Sequence, residues 1–172
     1  RYGTSRQAST YEREASNEDT VILASGYNYN FADALTASSL SGYLDNAPIV
    51  LTANEWLSND ARAAIVDDLD VKHVIIVGST DAINQDVEDE VNAIPSIETV
   101  ERIGGIDRQE TAEFIYESLG TDHSKTAIIA RCCDFPDSLT ISPWAAVTKS
   151  PIFLSEFGLE TLTAETKEAL AA

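Results

Sequence analysis

The sequence predicts an α/β fold, built from tandem repeats of strand–helix units whose mainly parallel sheets are covered by helices. Three observations point to it. Short β-branched apolar runs alternate with segments of helical period. The connections between them are only a few residues long, which implies right-handed crossovers and helices on both sheet faces. The chain also matches itself, in order, about a hundred residues downstream, the signature of a repeat architecture.

The self-match opens with Gly3-Thr4-Ser5-Arg6-Gln7 against Gly105-Ile106-Asp107-Arg108-Gln109. Next, Val21-Ile22-Leu23-Ala24 forms a continuous apolar run, matched by Ala127-Ile128-Ile129-Ala130. Such runs suit parallel strands buried on both faces. Phe31-Ala32-Asp33-Ala34-Leu35 opens a helix rich in Ala and Ser, able to lie close on a sheet, and Phe135-Pro136-Asp137-Ser138-Leu139 matches it. A second strand, Ile49-Val50-Leu51, follows Pro48 as Ile152-Phe153-Leu154 follows Pro151. Leu57, Ala61, Ala64, Ile65 and Leu69 then recur at helical spacing after Ser58. Val74-Ile75-Ile76-Val77 is a third strand, and Val87, Val91 and Ile94 follow at helical spacing behind Asn84, a fitting N-cap. After Asp107 the series Ala112, Ile115, Tyr116 and Leu119 does the same. We expect two repeats, residues 1–101 and 102–172, the second ending before any counterpart of the strand at 74–77. An open sheet edge there is expected to meet a partner segment or a second copy. The strand order is not readable.

Composition excludes several function classes. The 172 residues carry 29 acidic and 11 basic side chains, for a net charge of −18. The first repeat holds −13 of this and the second −5. No basic stripe exists, so phosphate-backbone binding to nucleic acid is disfavoured. No apolar run reaches the ~18 residues that span a bilayer. Two adjacent cysteines, Cys132 and Cys133, offer neither a disulfide framework nor a C-x-x-C zinc site, and read as small apolar residues near a strand end. The start at Arg1 reads as a mature product or a fragment.

Ligands in open α/β sheets sit beyond the carboxyl ends of the strands. The loops there carry Asp33 and Asp137, each at the start of a helix. They are either ligand-contacting carboxylates or first-turn acids complementing a helix dipole, worth about 0.3–1 kcal/mol. Gly104-Gly105-Ile106-Asp107-Arg108 looks superficially like a phosphate loop but lacks the later residues of either phosphate motif. Arg6 and Arg108, at matching positions, are candidates for a ligand contact or an ion pair with Asp33 or Asp137. There is no G-x-S-x-G, no metal-ligand cluster, and neither His73 nor His123 has a triad-like setting, so no catalytic residue, metal or cofactor is assigned. A small-ligand-binding α/β domain or enzyme using the strand-end loops is the alternative reading.

Arg102-Ile103-Gly104-Gly105-Ile106-Asp107-Arg108-Gln109-Glu110-Thr111-Ala112 resembles the opening of the cell wall-binding repeat 2 family. Ala24-Ser25-Gly26, Asn30 to Leu35, Pro48 to Thr52 and Val74 to Gly78 resemble its later motifs, so the likeness covers essentially the whole chain. The resemblance implies a toprim-like α/β module that is repeated in tandem, often three times, and packed as a triangular unit. It implies a non-catalytic anchor, extracellular and wall-associated, that holds Gram-positive surface proteins on an anionic secondary wall polymer or another wall glycan. The apolar triplets Ile49-Val50-Leu51 and Ile152-Phe153-Leu154 correspond to the residues that family associates with the polymer. Arg6, Arg102 and Arg108 are the expected anion contacts in so acidic a chain. Tyr27, Tyr29, Trp56 and Trp144 are candidates to stack on sugar rings.

Overall fold

The computed structural model describes residues 1–15, 19–27, 30–121, 123–155 and 161–171. The α/β expectation holds. Helix α1 (Tyr2–Ala15) leads to β1 (Thr20–Ser25), α2 (Phe31–Tyr43) and β2 (Ile49–Thr52). Helix α3 (Asn59–Ala63) continues into one π-helical turn (Ala64–Asp68), followed by β3 (His73–Val77), α4 (Gln85–Asn92) and β4 (Thr99–Ile103). The second repeat supplies α5 (Arg108–Ser118), β5 (Ile128–Ala130), α6 (Phe135–Thr148), β6 (Ile152–Leu154) and α7 (Ala164–Ala169). β4 runs across the 101/102 boundary expected between the repeats.

Strands β1 to β4 pair in parallel in the order β2-β1-β3-β4, and β5 pairs in parallel with β6. The repeat seen in sequence is kept in register: Ile22 lies opposite Ile49, and its match Ile128 lies opposite Ile152. The same backbone bond opens each pair, Ile22 N–H donating to Pro48 O and Ile128 N–H to Pro151 O, both at 2.9 Å. Every residue of β1 is buried, as its central place demands. β4 reads Thr-Val-Glu-Arg-Ile and is only partly buried, because it is a sheet edge, where charged residues discourage further pairing.

Side chains alternate between two cores. Val21, Leu23, Val50, Val74 and Ile76 face α3, its π turn and α4. Ile22, Ile49, Ile75 and Val77 face α2 and α5 through Ala37, Leu40, Ile115 and Leu119. A helix of the second repeat thus closes the core of the first. The free edge of β2 is covered by α1, where buried Ser5 accepts a hydrogen bond from Leu51 N–H at 2.7 Å. This satisfies a donor that an edge strand would otherwise present to another chain.

Helix α2 is buried on most sides because it also lies against α6. Thr36, Ser38 and Ser39 return their hydroxyls to the preceding turn, Ser38 to Leu35 O at 2.7 Å and Ser39 to Thr36 O at 3.0 Å, while Ser41 donates past the helix end to Ala47 O at 2.8 Å. At the crossing, a Cβ on Gly42 would fall 1.9 Å from Ala146 O. The two backbones touch, and only glycine permits it. The cysteine expectation is corrected: Cys132 and Cys133 are bonded to each other, a ring that needs no sequence spacing and that counting spaced pairs overlooks.

Gly42→Ala replaces a poor helix former by a better one, a gain of about 1 kcal/mol in an exposed helix. Here the new methyl meets a backbone carbonyl that cannot swing aside, so the variant should lose roughly 1–3 kcal/mol in urea unfolding.

Candidate functional site

In the order β2-β1-β3-β4 the chain steps from β1 to opposite sides, so the crevice between the carboxyl ends of β1 and β3 is a topological switch point. A cavity of about 250 Å³ lies there. Its walls come from the loop after β1 (Asn30, Ala32, Asp33), the loop after β3 (Ser79, Asp81, Ala82) and the start of α5 (Gly105 to Arg108, with Thr111). It continues, through shared Asn30 and Asp81, into a second cavity of about 460 Å³ lined by Tyr2, Tyr27, Asn54, Glu55 and Trp56. Through Tyr27 that one meets a third, about 490 Å³ and mostly apolar, between Leu35 and Leu51 on one side and Phe135 and Leu139 on the other. The result is one groove along the strand ends, from Arg108 to Arg1.

Asp33 is the groove's most unusual group. It is 7% exposed, in the first turn of α2. Burial pushes its pKa up to about 6, against the pull of the Arg108 guanidinium. Two glycines make the space. Gly78 adopts φ +115°, and a Cβ there would lie 2.8 Å from Asp33 Oδ2. A Cβ on Gly104 would lie 2.3 Å from Gly78 C, so the ends of β3 and β4 approach backbone to backbone.

Arg108 begins α5 and bridges the repeats. Its Nη1 donates to Cys132 O at 2.7 Å, and its guanidinium stands 5.8 Å from the centre of the Phe31 ring. The glycine loop before it is not a phosphate cradle. Gly105 N–H donates to Thr111 Oγ1 (3.0 Å), Ile106 N–H to the Glu110 carboxylate, and Glu110 N–H to Asp107 Oδ1 (2.9 Å). The amides that would face an anion are spent on capping the helix.

The other residues singled out in sequence lie elsewhere. Arg6 grips Asp68 with Nε at 2.5 Å and Nη2 at 3.1 Å, on the α1–π-turn side. That hydrogen bond holds the Asp68 carboxyl below its usual range and raises Arg6. Arg102 ties the strand ends together, with Nε 2.8 Å from Glu88 Oε2 and Nη1 2.8 Å from Gly78 O. Asp137, the match of Asp33, is exposed on α6. The triplets are strands: Val50, Ile152, Phe153 and Leu154 are buried, Ile49 packs on the second core, and Leu51 alone lines the groove. Trp144 is half-exposed on α6 away from the three cavities, and Tyr29 lies outside the described residues. His73 Nδ1 meets Thr99 Oγ1 (2.7 Å), and His123 Nδ1 meets Ser124 O (2.8 Å), neither in the groove. Asn54, Ser79 and Asp81 were missed, though each closely follows a strand end, the position that marked Asp33. Among the described residues no cluster of His, Cys, Asp or Glu could hold a metal.

A tandem α/β module with a row of cavities along its strand ends has the form of a binding domain. A family model described as cell wall binding domain 2 (CWB2) matches residues 1–88 and 102–171, and the chain belongs to that family. It is 29% identical over 155 residues to the N-acetylmuramoyl-L-alanine amidase LytC of Bacillus subtilis, covering 90% of this chain and 29% of that protein. It is 32% identical over 156 residues to the amidase enhancer of the same species, covering 91% of this chain and 21% of that one. Among solved structures it resembles Cwp8 from Clostridium difficile (TM-score 0.81, 26% identity, 98% of this chain and 28% of that one). Cwp6 from the same organism gives 0.76 at 26% identity, over 90% of this chain and 24% of that one. The chain therefore spans less than a third of each of these proteins.

The Asp33 pKa carries a stability prediction. A carboxyl raised from 3.8 to about 6 on folding contributes stability that is full below pH 4 and lost as pH rises through 6. Asp33→Asn should therefore stabilise the protein at pH 7.5 by about 2 kcal/mol, with the gain vanishing near pH 4, in paired urea titrations.

Proposed function

We propose that this chain is a non-catalytic anchor, extracellular and wall-associated, that holds a larger protein on the Gram-positive wall by binding an anionic secondary wall polymer. The observation that carries this reading is the row of three neighbouring cavities along the strand ends, which together suit an extended polymer better than a single small molecule. Family membership supports the wall as the surface. The groove's two cations, Arg108 and Arg1, stand at its ends, and in a chain of net charge −18 an anionic ligand needs such local positive charge. Among the site residues, Asp33, Arg108 and Leu51 belong to the groove. Arg6, Arg102 and the remaining triplet residues serve it by holding the elements in place. On this reading residues 1–101 and 102–172 are two copies of one wall-binding repeat, and further copies, in this or another chain, are partners. Among the described residues no helix is long and apolar enough to cross a membrane.

The test is co-sedimentation with purified Gram-positive walls before and after chemical extraction of the secondary polymer. Binding should vanish with the polymer, weaken as salt rises, and fall roughly tenfold in Arg108→Gln, the cost of one well-placed charged contact. Binding that survives extraction would move the ligand to peptidoglycan. No binding to intact walls would overturn the anchor reading.

A further inference from the structure

The middle of the groove has a chemistry that the ends lack. Trp56 and Tyr27, 57% and 52% exposed, line one concavity of about 460 Å³ together with Asn54, Glu55 and Asp81. Large aromatic rings left in water inside a concave site are a preformed surface for a ligand with an apolar face.

The indole stands on a fixed support. Its flanking residues Ala53 and Leu57 are buried, and the hydroxyl of fully buried Thr52 donates to Trp56 O (3.3 Å) while accepting from Ser58 N–H (3.0 Å). Asn54 is equally set. Its Nδ2 donates to Asp81 O at 2.5 Å and Ala82 O at 2.8 Å, which commits both amide hydrogens and leaves Oδ1 as an acceptor. The Glu55 and Asp81 carboxylates add acceptors, and among the described residues no Lys or Arg lines this cavity. Fixed aromatic faces ringed by acceptors, without a cation, fit a ring with an apolar face and many hydroxyl donors. They repel phosphate and carboxylate.

We propose that this cavity is a subsite for an uncharged pyranose ring of a wall glycan, stacked on Trp56 and Tyr27, with its hydroxyls donating to Asn54 Oδ1, Glu55 and Asp81. The assignment rests on the wall-binding reading, and it divides the groove into ends that each carry an arginine and a centre lined by acceptors.

The chain has two tryptophans, so Trp144→Phe leaves Trp56 as the sole indole reporter. Titration with chitotriose and with cellotriose, both uncharged, should change Trp56 emission saturably in the millimolar range for at least one of them. Glycerol 3-phosphate should not. Trp56→Ala, which removes an exposed side chain and should leave the unfolding midpoint unchanged, should weaken wall co-sedimentation roughly tenfold or more, whereas Trp144→Phe should not. Failure of both sugars to perturb Trp56, or a response to the phosphate alone, overturns the subsite. So does wall binding by Trp56→Ala equal to that of the unaltered chain, in which case the anchor reading still stands. A saturable sugar response in a chain that ignores intact walls keeps the subsite and overturns the anchor.

Discussion

The burial of Ile115 and Leu119 against the first sheet is the contact on which the rest of this structure depends. Both residues belong by sequence to the second repeat, yet they complete the core formed by Ile22, Leu40 and Val77. At roughly 1.5–3 kcal/mol for each fully buried aliphatic side chain, this contact couples α5 to the first sheet. It also brings the start of α5 over the carboxyl ends of β1 and β3. Arg108 stands beside Asp33, and the groove has a wall on that side, because of it.

The same arrangement explains why equivalent residues behave differently. Asp33 is desolvated because the opening motif of the next repeat lies over it; Asp137 has no such cover among the described residues and is exposed. Arg108 reaches across to the Phe31 ring, whereas its match Arg6 finds Asp68 and Asp60 on its own repeat. In an assembly of repeats, a residue's environment is set by its neighbours as much as by its own motif.

Much of the fold was legible in the sequence. The apolar runs at 21–24, 49–51 and 74–77 are strands, and Asn84 caps α4 with its side chain on Val87 N–H. The match of 21–24 with 127–130 even carries the pairing register. The strand order was not legible, since it depends on which faces of α2 and α5 are buried, and α2 has little amphipathic contrast when serines bonded to nearby backbone carbonyls line its buried side. Asp33 was visible as a candidate from its place after β1. Its burial was not, because Gly78, Gly104 and Arg108 converge on it from up to 75 positions away. The apolar triplets drew notice as a motif, but their alternation puts most of them in the core, and only Leu51, at the strand end, reaches the groove.

The backbone contact between Gly42 and Ala146 fixes more than a helix crossing. It sets how closely the two helices approach, and so the spacing of the backbones that carry Leu35 and Leu139, the opposed walls of the groove's apolar end. That gap behaves as a caliper with a single setting. Its width is therefore a property of the helix crossing, present before anything enters it.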